Sequence, residues 1–251
     1  MAIDTVWQDP SQPPILDNDQ VHVWRANLDL PDADIVRLAA FLSPDELTRA
    51  NKFRFPHLKR RFTAARGILR QLLGNYLSIK PNDLTFEYSD RGKPRLSSSK
   101  QDSLPNFNLS HSQEYALYGF TYHDPIGVDL EYIREMPDAL KIAQRFFSAR
   151  EYQLIKDAAS KEQPALFFKL WTAKEAYLKA VGTGLAGSLD SVDIEFNLAR
   201  SPRLQAIQGD KAAAADWSLY PCLPATDYVG AIAIKIDKSP KQISFWHWHQ
   251  V

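Results

Sequence analysis

Two stretches of helical apolar spacing, one in each half of the chain and each set among strand-like runs, limit most strongly what this sequence can become. The first runs from about Pro56 to Leu77, with Phe62, Ala65, Leu69, Leu72, Leu73 and Tyr76 recurring at helical intervals. The second runs from Gln163 to Val181 and is stopped by GTGLAG, which puts Gly182 just past its C-terminus. Around the first lie VHVWRANL, LTFEYS, NFNLS and YALYGFTY; after the second come DIEF, WSLYP, YVGAIAIKI and ISFWHWH, all reading as strands. Each half thus offers strands plus a long helix, and no repeat or low-complexity linker separates them. This predicts an α/β (α+β) chain of two lobes, residues 1–121 and 122–251, meeting near Thr121 to Pro125.

Local signals fill in the rest. An apolar-periodic segment spans Pro31 to Leu42. Ser43 with Glu46, and Ser148 with Glu151, form capping boxes, the first with proline at the first helical position. Asp138 to Phe147 is helix-like, and SDRGKP is a tight turn with Gly92 free to take positive φ. Three antiparallel strands are expected around Phe107 to Tyr132, with polar SHSQ between the first two. AAAAD and the region around Ser201 read as loop or irregular.

Composition narrows the functional classes. With 251 residues the chain can bury a substantial core, and 45% hydrophobic and 24% charged residues are ordinary for a globular protein. Thirty basic and thirty acidic residues cancel, so total charge points to no nucleic-acid and no membrane partner. The start, MAIDTVWQDP, has neither a basic head nor an apolar core, and no apolar run is long enough to span a bilayer, so a cytoplasmic location is expected. A single cysteine, Cys222, excludes an internal disulfide framework and a cysteine-based zinc site. The six histidines, two of them in WHWH, show no ligand spacing and read as strand residues.

Local charge is less even. Arg49, Lys52, Arg54, Lys59, Arg60, Arg61, Arg66 and Arg70 lie in a span with no acidic residue, which suits an anionic partner or, more blandly, a solvated helix face. In PIGVDLEYI, Asp129 and Glu131 are two apart on a strand and so share one side, about 7 Å apart along the backbone. Like charges on a half-buried surface repel unless a cation lies between them, and Mg²⁺ takes one or two carboxylates while keeping sites for water and phosphate. The alternative is the solvated face of an edge strand. In WTAKEAYLKA, Trp171, Glu175 and Lys179 stack along one helix face, where Glu175 and Lys179 could be a mere surface ion pair. Three carboxylates, a basic helix and a lysine one turn from the third carboxylate suit transfer of a phosphorus group, which depends on positioning and electrostatics. There is no Walker motif.

In their order and spacing, GVDLE, RFFSAREY and LWTAKEAYLKAVGTGL resemble the signature of the Sfp-type 4′-phosphopantetheinyl transferases. The resemblance reaches upstream through YSDRGKPRL and FNLSHS to ARGILR, covering roughly residues 43 to 196. It implies an enzyme that moves the phosphopantetheine arm of coenzyme A to a serine hydroxyl of an acyl or peptidyl carrier protein, leaving adenosine 3′,5′-bisphosphate. It also implies two lobes related by a pseudo-twofold axis, with coenzyme A between them, acting as a monomer. Asp129, Glu131 and Glu175 would be the Mg²⁺ ligands, and Glu175 and Lys179 the catalytic pair. Lys93, Ser110 and His111 fall where the family contacts coenzyme A, His111 near the 3′-phosphate; Arg61 and Arg66 add phosphate contacts. One departure concerns the adenine end: relatives have two basic residues after the Ser-Pro helix start, where this chain has Glu46 and Arg49. Arg49 can serve; Glu46 cannot. The rival readings are a metal-dependent phosphohydrolase or nuclease, and a non-enzymatic anion-binding module.

Overall fold

A computed structural model describes residues 5–97, 104–183, 189–197, 200–235 and 242–249. Along the chain lie β1 (Gln20–Asn27), α1 (Asp32–Ala39), α2 (Pro44–Asn51) and α3 (Pro56–Leu77). Then come β2 (Phe86–Tyr88), β3 (Pro94–Leu96), β4 (Asn106–Ser112), β5 (Tyr115–Thr121) and β6 (Ile126–Tyr132). Three helices follow, α4 (Ala139–Phe146), α5 (Ala149–Asp157) and α6 (Gln163–Val181). The remainder is β7 (Val192–Asn197), β8 (Arg200–Ile207), α7 (Lys211–Ala215), β9 (Trp217–Cys222), β10 (Tyr228–Lys235) and β11 (Gln242–His247).

Both long helices end where the sequence places their ends. Ser78, at φ 54°, closes α3, and Gly182, at φ 80°, closes α6, each donating its backbone N–H back into the last turn. Both capping boxes are present, at Ser43 and Ser148. Gly92 has φ 79° in the β2–β3 turn.

Two main sheets form the frame. One has the order β11-β1-β5-β4 and the other β6-β10-β9. On the outer face of the first, Ala64, Ala65, Ile68, Leu69, Leu72 and Leu73 of α3 are buried together with Trp24, Tyr118 and Phe120. On the second, Phe167, Leu170, Ala173, Ala176 and Ala180 of α6 are buried in one cluster with Val229, Ala231 and Ala233. A third core lies between the sheets, where Val21, Val23 and Leu117 meet Ile126, Val128, Leu130, Ile232 and Ile234. Area removed from water at three such interfaces supplies the main drive to fold, and the middle one binds the two units together.

Several expectations are corrected. β6 does not join β4 and β5 in one three-stranded sheet; its ladder partner is β10. A turn with His123 at φ 68° redirects the chain after β5, and α6 lies so close over Gly127 that a Cβ there would collide with the Ala176 carbonyl oxygen. The SHS run belongs to β4, and the hairpin turn falls at Gln113, φ 50°, and Glu114. The region around Ser201 is β8, paired antiparallel with β7 through two register shifts, and the alanine run is α7, whose first N–H groups are capped by Asp210. Pairing between distant segments and a one-residue cap override the weak local pattern in both places. Finally, β11 returns across the molecule to pair in parallel with β1, so sheet membership does not follow chain order.

Candidate active site

The site is built where β6, β4 and α6 meet. Because side chains alternate along a strand, Gly127, Asp129 and Glu131 face α6, while Ile126, Val128 and Leu130 face the core between the sheets. The missing side chain at Gly127 lets the Ala176–Ala180 turn of α6 rest on the strand, and this close approach brings Lys179 to Asp129. Lys179 Nζ donates to Asp129 Oδ1 at 2.6 Å and to Ser110 Oγ at 2.8 Å. The Ser110 hydroxyl donates its own proton to the same Asp129 oxygen at 2.9 Å. Lys179 is therefore paired with the strand carboxylate, not with Glu175 on a solvent face.

Glu131 is half-buried; its Oε2 accepts from Ser112 Oγ at 2.9 Å, with Arg134 at 3.8 Å. Glu175 is buried, one helical turn before Lys179. Burial raises the Glu175 carboxyl to about 7, with the charges of Asp129 and Glu131 adding to the rise and Lys179 opposing it. Glu131 is raised as well, by burial first and then by Asp129. Two carboxylate oxygens in this group, Asp129 Oδ2 and Glu175 Oε1, are buried with no hydrogen-bond partner. An ionised oxygen cut off from water and from donors is costly, and a hard divalent cation is the ligand that three such carboxylates would satisfy. The donor set fits Mg²⁺. No choice of one oxygen from each brings all three within 4.8 Å of one another, so a shared ion would draw them inward.

Among the described residues, the group that does place three metal-type donors within that distance is Asp9, His247 and His249. It does not suit a metal. Arg25 engages both ring nitrogens of His247, at 3.1 and 2.8 Å, and His249 is held by Asp9 at 2.5 Å. A neutral imidazole that accepts on one nitrogen carries its proton on the other, leaving no lone pair for an ion.

The cationic residues divide by partner. His111 is solvent-accessible yet enclosed by surrounding protein, which lowers its pKa, and the charges of Lys179, Arg49 and Arg61 lower it further. Arg49 is exposed over the ring of Phe62. Arg61 is engaged by Asp29 through two bonds of 2.7 Å. Arg66 and Arg70 both close on the buried carboxylate of Glu46, which explains an acidic residue where relatives are basic: Glu46 ties α2 to α3. Lys93 donates to the Lys179 and Ala180 carbonyl oxygens at 2.6 and 3.0 Å, capping the C-terminus of α6. Beside it a cavity of about 540 Å³ is lined by Lys93, Pro94, Asn106, Phe107, His123 and Gly182 among others.

The sequence reading missed Lys174 and the second role of Glu151. Both are buried: Lys174 Nζ lies 2.8 Å from Glu151 Oε2, and Glu151 Oε1 accepts from the Ile194 N–H at 2.7 Å. Glu151 at a cap position was the available signal, but its partners lie on other elements, distant in sequence. Trp171 stacks on Phe167, in the core beside α6.

Against this geometry, residues 125–233 match the 4′-phosphopantetheinyl transferase superfamily, and residues 30–119 match the 4′-phosphopantetheinyl transferase N-terminal family. The 4′-phosphopantetheinyl transferase HetI of Nostoc sp. is 44% identical over 232 residues, covering 92% of this chain and 93% of that protein. The chain belongs to the 4′-phosphopantetheinyl transferase superfamily. Two further transferases of that name are similar over a shorter span. Psf-1 of Bacillus pumilus is 35% identical, over 62% of this chain and 65% of its own length; Sfp of Bacillus subtilis is 30% identical, over 64% and 69%. The Sfp-type resemblance of the sequence motifs is borne out, and these transferases give no support to a hydrolase or an anion-binding module. The Glu46 departure lies within the N-terminal match, and GVDLE and WTAKEAYLKA within the other.

Proposed function

We propose that this chain transfers 4′-phosphopantetheine from coenzyme A to a serine hydroxyl of an acyl or peptidyl carrier protein, with Mg²⁺ held by Asp129, Glu131 and Glu175. The observation that carries the reading is the pair of buried, unpartnered carboxylate oxygens on Asp129 and Glu175 beside the Lys179 ammonium, in a chain of this superfamily. Bound there, Mg²⁺ would neutralise the coenzyme A pyrophosphate and polarise its phosphorus–oxygen bond.

The chain's own residues do the rest. The serine oxygen forms a bond to the β-phosphorus as the bond to the departing adenosine 3′,5′-bisphosphate breaks. Glu175 takes the serine proton, directly or through water; a carboxylate raised to about 7 is a competent base at neutral pH. Lys179 stabilises the negative charge that grows on the leaving bisphosphate, and Asp129 with Ser110 holds its ammonium in place. His111 and Arg49 meet the 3′-phosphate, Arg61 supplies a further cation at the rim, and the cavity beside Lys93 takes the adenine end. Arg66, held by Glu46, supports the basic helix from within. The protein acts in the cytoplasm as a monomer; its lone cysteine is buried. Among the described residues, no helix is long and apolar enough to cross a membrane. Incubation of an apo carrier protein with coenzyme A and Mg²⁺, followed by intact mass, tests the reaction; release of inorganic phosphate without modified carrier would contradict it.

A further inference from the structure

Strand β4 lies beside β6 without backbone pairing, since the two are edge strands of different sheets. Both run the same way, and alternate residues of β4 reach across. Asn108 Oδ1 accepts from the Val128 N–H at 2.9 Å, Ser110 donates to Asp129, and Ser112 Oγ accepts from the Tyr132 N–H at 3.2 Å while donating to Glu131 Oε2 at 2.9 Å. Val128 and Tyr132 bracket the two carboxylates. The segment that carries them is therefore pinned at both ends by side chains of a neighbouring sheet.

From this geometry we infer that Ser112 is a positioning residue for Glu131: its hydroxyl fixes Oε2, and so presents Oε1 toward the ion that Glu131 shares with Asp129 and Glu175. The inference rests on the metal reading proposed above. Among the described residues, Ser112 and Arg134 both contact Oε2, and Oε1 has no hydrogen-bond partner. Glu131 is the most accessible of the three carboxylates and is repelled by Asp129, so nothing but this anchor opposes its swinging outward into water. One hydroxyl does two tasks, because accepting from Tyr132 fixes the direction in which Ser112 donates. Partners that orient a metal ligand in this way are commonly worth 10- to 100-fold in metal affinity or activity.

Titration of Mn²⁺ into the free protein, followed by the loss of its solution EPR signal, reads this directly. Ser112→Ala is expected to weaken Mn²⁺ about tenfold, and to raise the Mg²⁺ needed for half-maximal transfer while kcat at saturating Mg²⁺ stays within about threefold of wild type. Ser112→Thr, which keeps the hydroxyl, is expected to restore both. Wild-type Mn²⁺ affinity in Ser112→Ala would overturn the inference, and so would equal weakening in Ala and Thr, which would mean packing and not the hydroxyl. Glu131→Gln separates this from the metal reading. If Glu131→Gln abolishes Mn²⁺ binding while Ser112→Ala does not change it, the positioning role alone falls; if Glu131→Gln binds Mn²⁺ like wild type, the metal reading falls and takes this inference with it.

Discussion

The Lys179 ammonium lies 2.6 Å from Asp129 Oδ1, joining the catalytic helix to the strand that carries two of the three carboxylates. The same group shares Ser110 Oγ, so its direction is fixed before any substrate arrives. A cation held this way acts on charge that develops in the transition state, and its loss is expected in kcat more than in KM. Lys179→Ala should lower kcat about 10² to 10³-fold with a smaller change in KM for coenzyme A, and Lys179→Arg should recover only part of it. Steady-state kinetics at saturating carrier protein measure this; a near-normal kcat in Lys179→Ala would remove the lysine from the reaction.

Glu175 gives a pH signature to the metal-free protein. Its carboxyl is raised to about 7 from the ordinary 4.5, so between those values the folded chain keeps a proton that the unfolded chain has released. The folded state binds more protons there, and stability falls as pH rises through the window, levelling off above it. In chelator, Tm of the wild type should decline from about pH 5 to about pH 8 more steeply than that of Glu175→Gln. Parallel profiles for the two proteins would contradict the assignment.

Glu46 with Arg66 and Arg70 forms a buried charge cluster, where removing one partner strands the others. Glu46→Ala should destabilise the fold by about 3 to 5 kcal/mol. Arg66→Met should likewise lower the denaturant midpoint. Unchanged stability in Arg66→Met, together with a raised KM for coenzyme A, would instead make Arg66 a phosphate contact.

His111 lies among Lys179, Arg49 and Arg61, an environment that disfavours its own charge and favours an anion beside it. His111→Ala should weaken coenzyme A roughly tenfold more than dephospho-coenzyme A, the difference expected for one hydrogen bond to a charged group. Calorimetric titration of both ligands decides this, and equal weakening would assign the ring to structure.

What the sequence reveals and what it hides follow the range of the interactions concerned. Pro56–Leu77 and Gln163–Val181 are legible to their ends because spacing, proline and the residue after the last turn act within a few positions. Asp129, Glu131 and Glu175 are legible as a group because strand and helix periodicity place them on known faces. Their orientation is not, since it depends on Gly127 accepting α6 and on Ser110 and Ser112 reaching across from a different sheet. The same holds for β11, which pairs with a strand from the opposite end of the chain, and for Glu46 and Lys174, whose partners are far away in sequence. Local pattern reports charge and period; it carries no record of which distant carboxylate answers a given cation.

The central claim is tested most directly by the intact mass of an apo carrier protein after incubation with this protein, coenzyme A and Mg²⁺, alongside Asp129→Asn. The account predicts that the wild type adds one phosphopantetheine to the carrier serine, that chelation prevents the addition, and that folded Asp129→Asn fails to make it. Addition that proceeds equally with Asp129→Asn, or in the presence of chelator, would contradict the account.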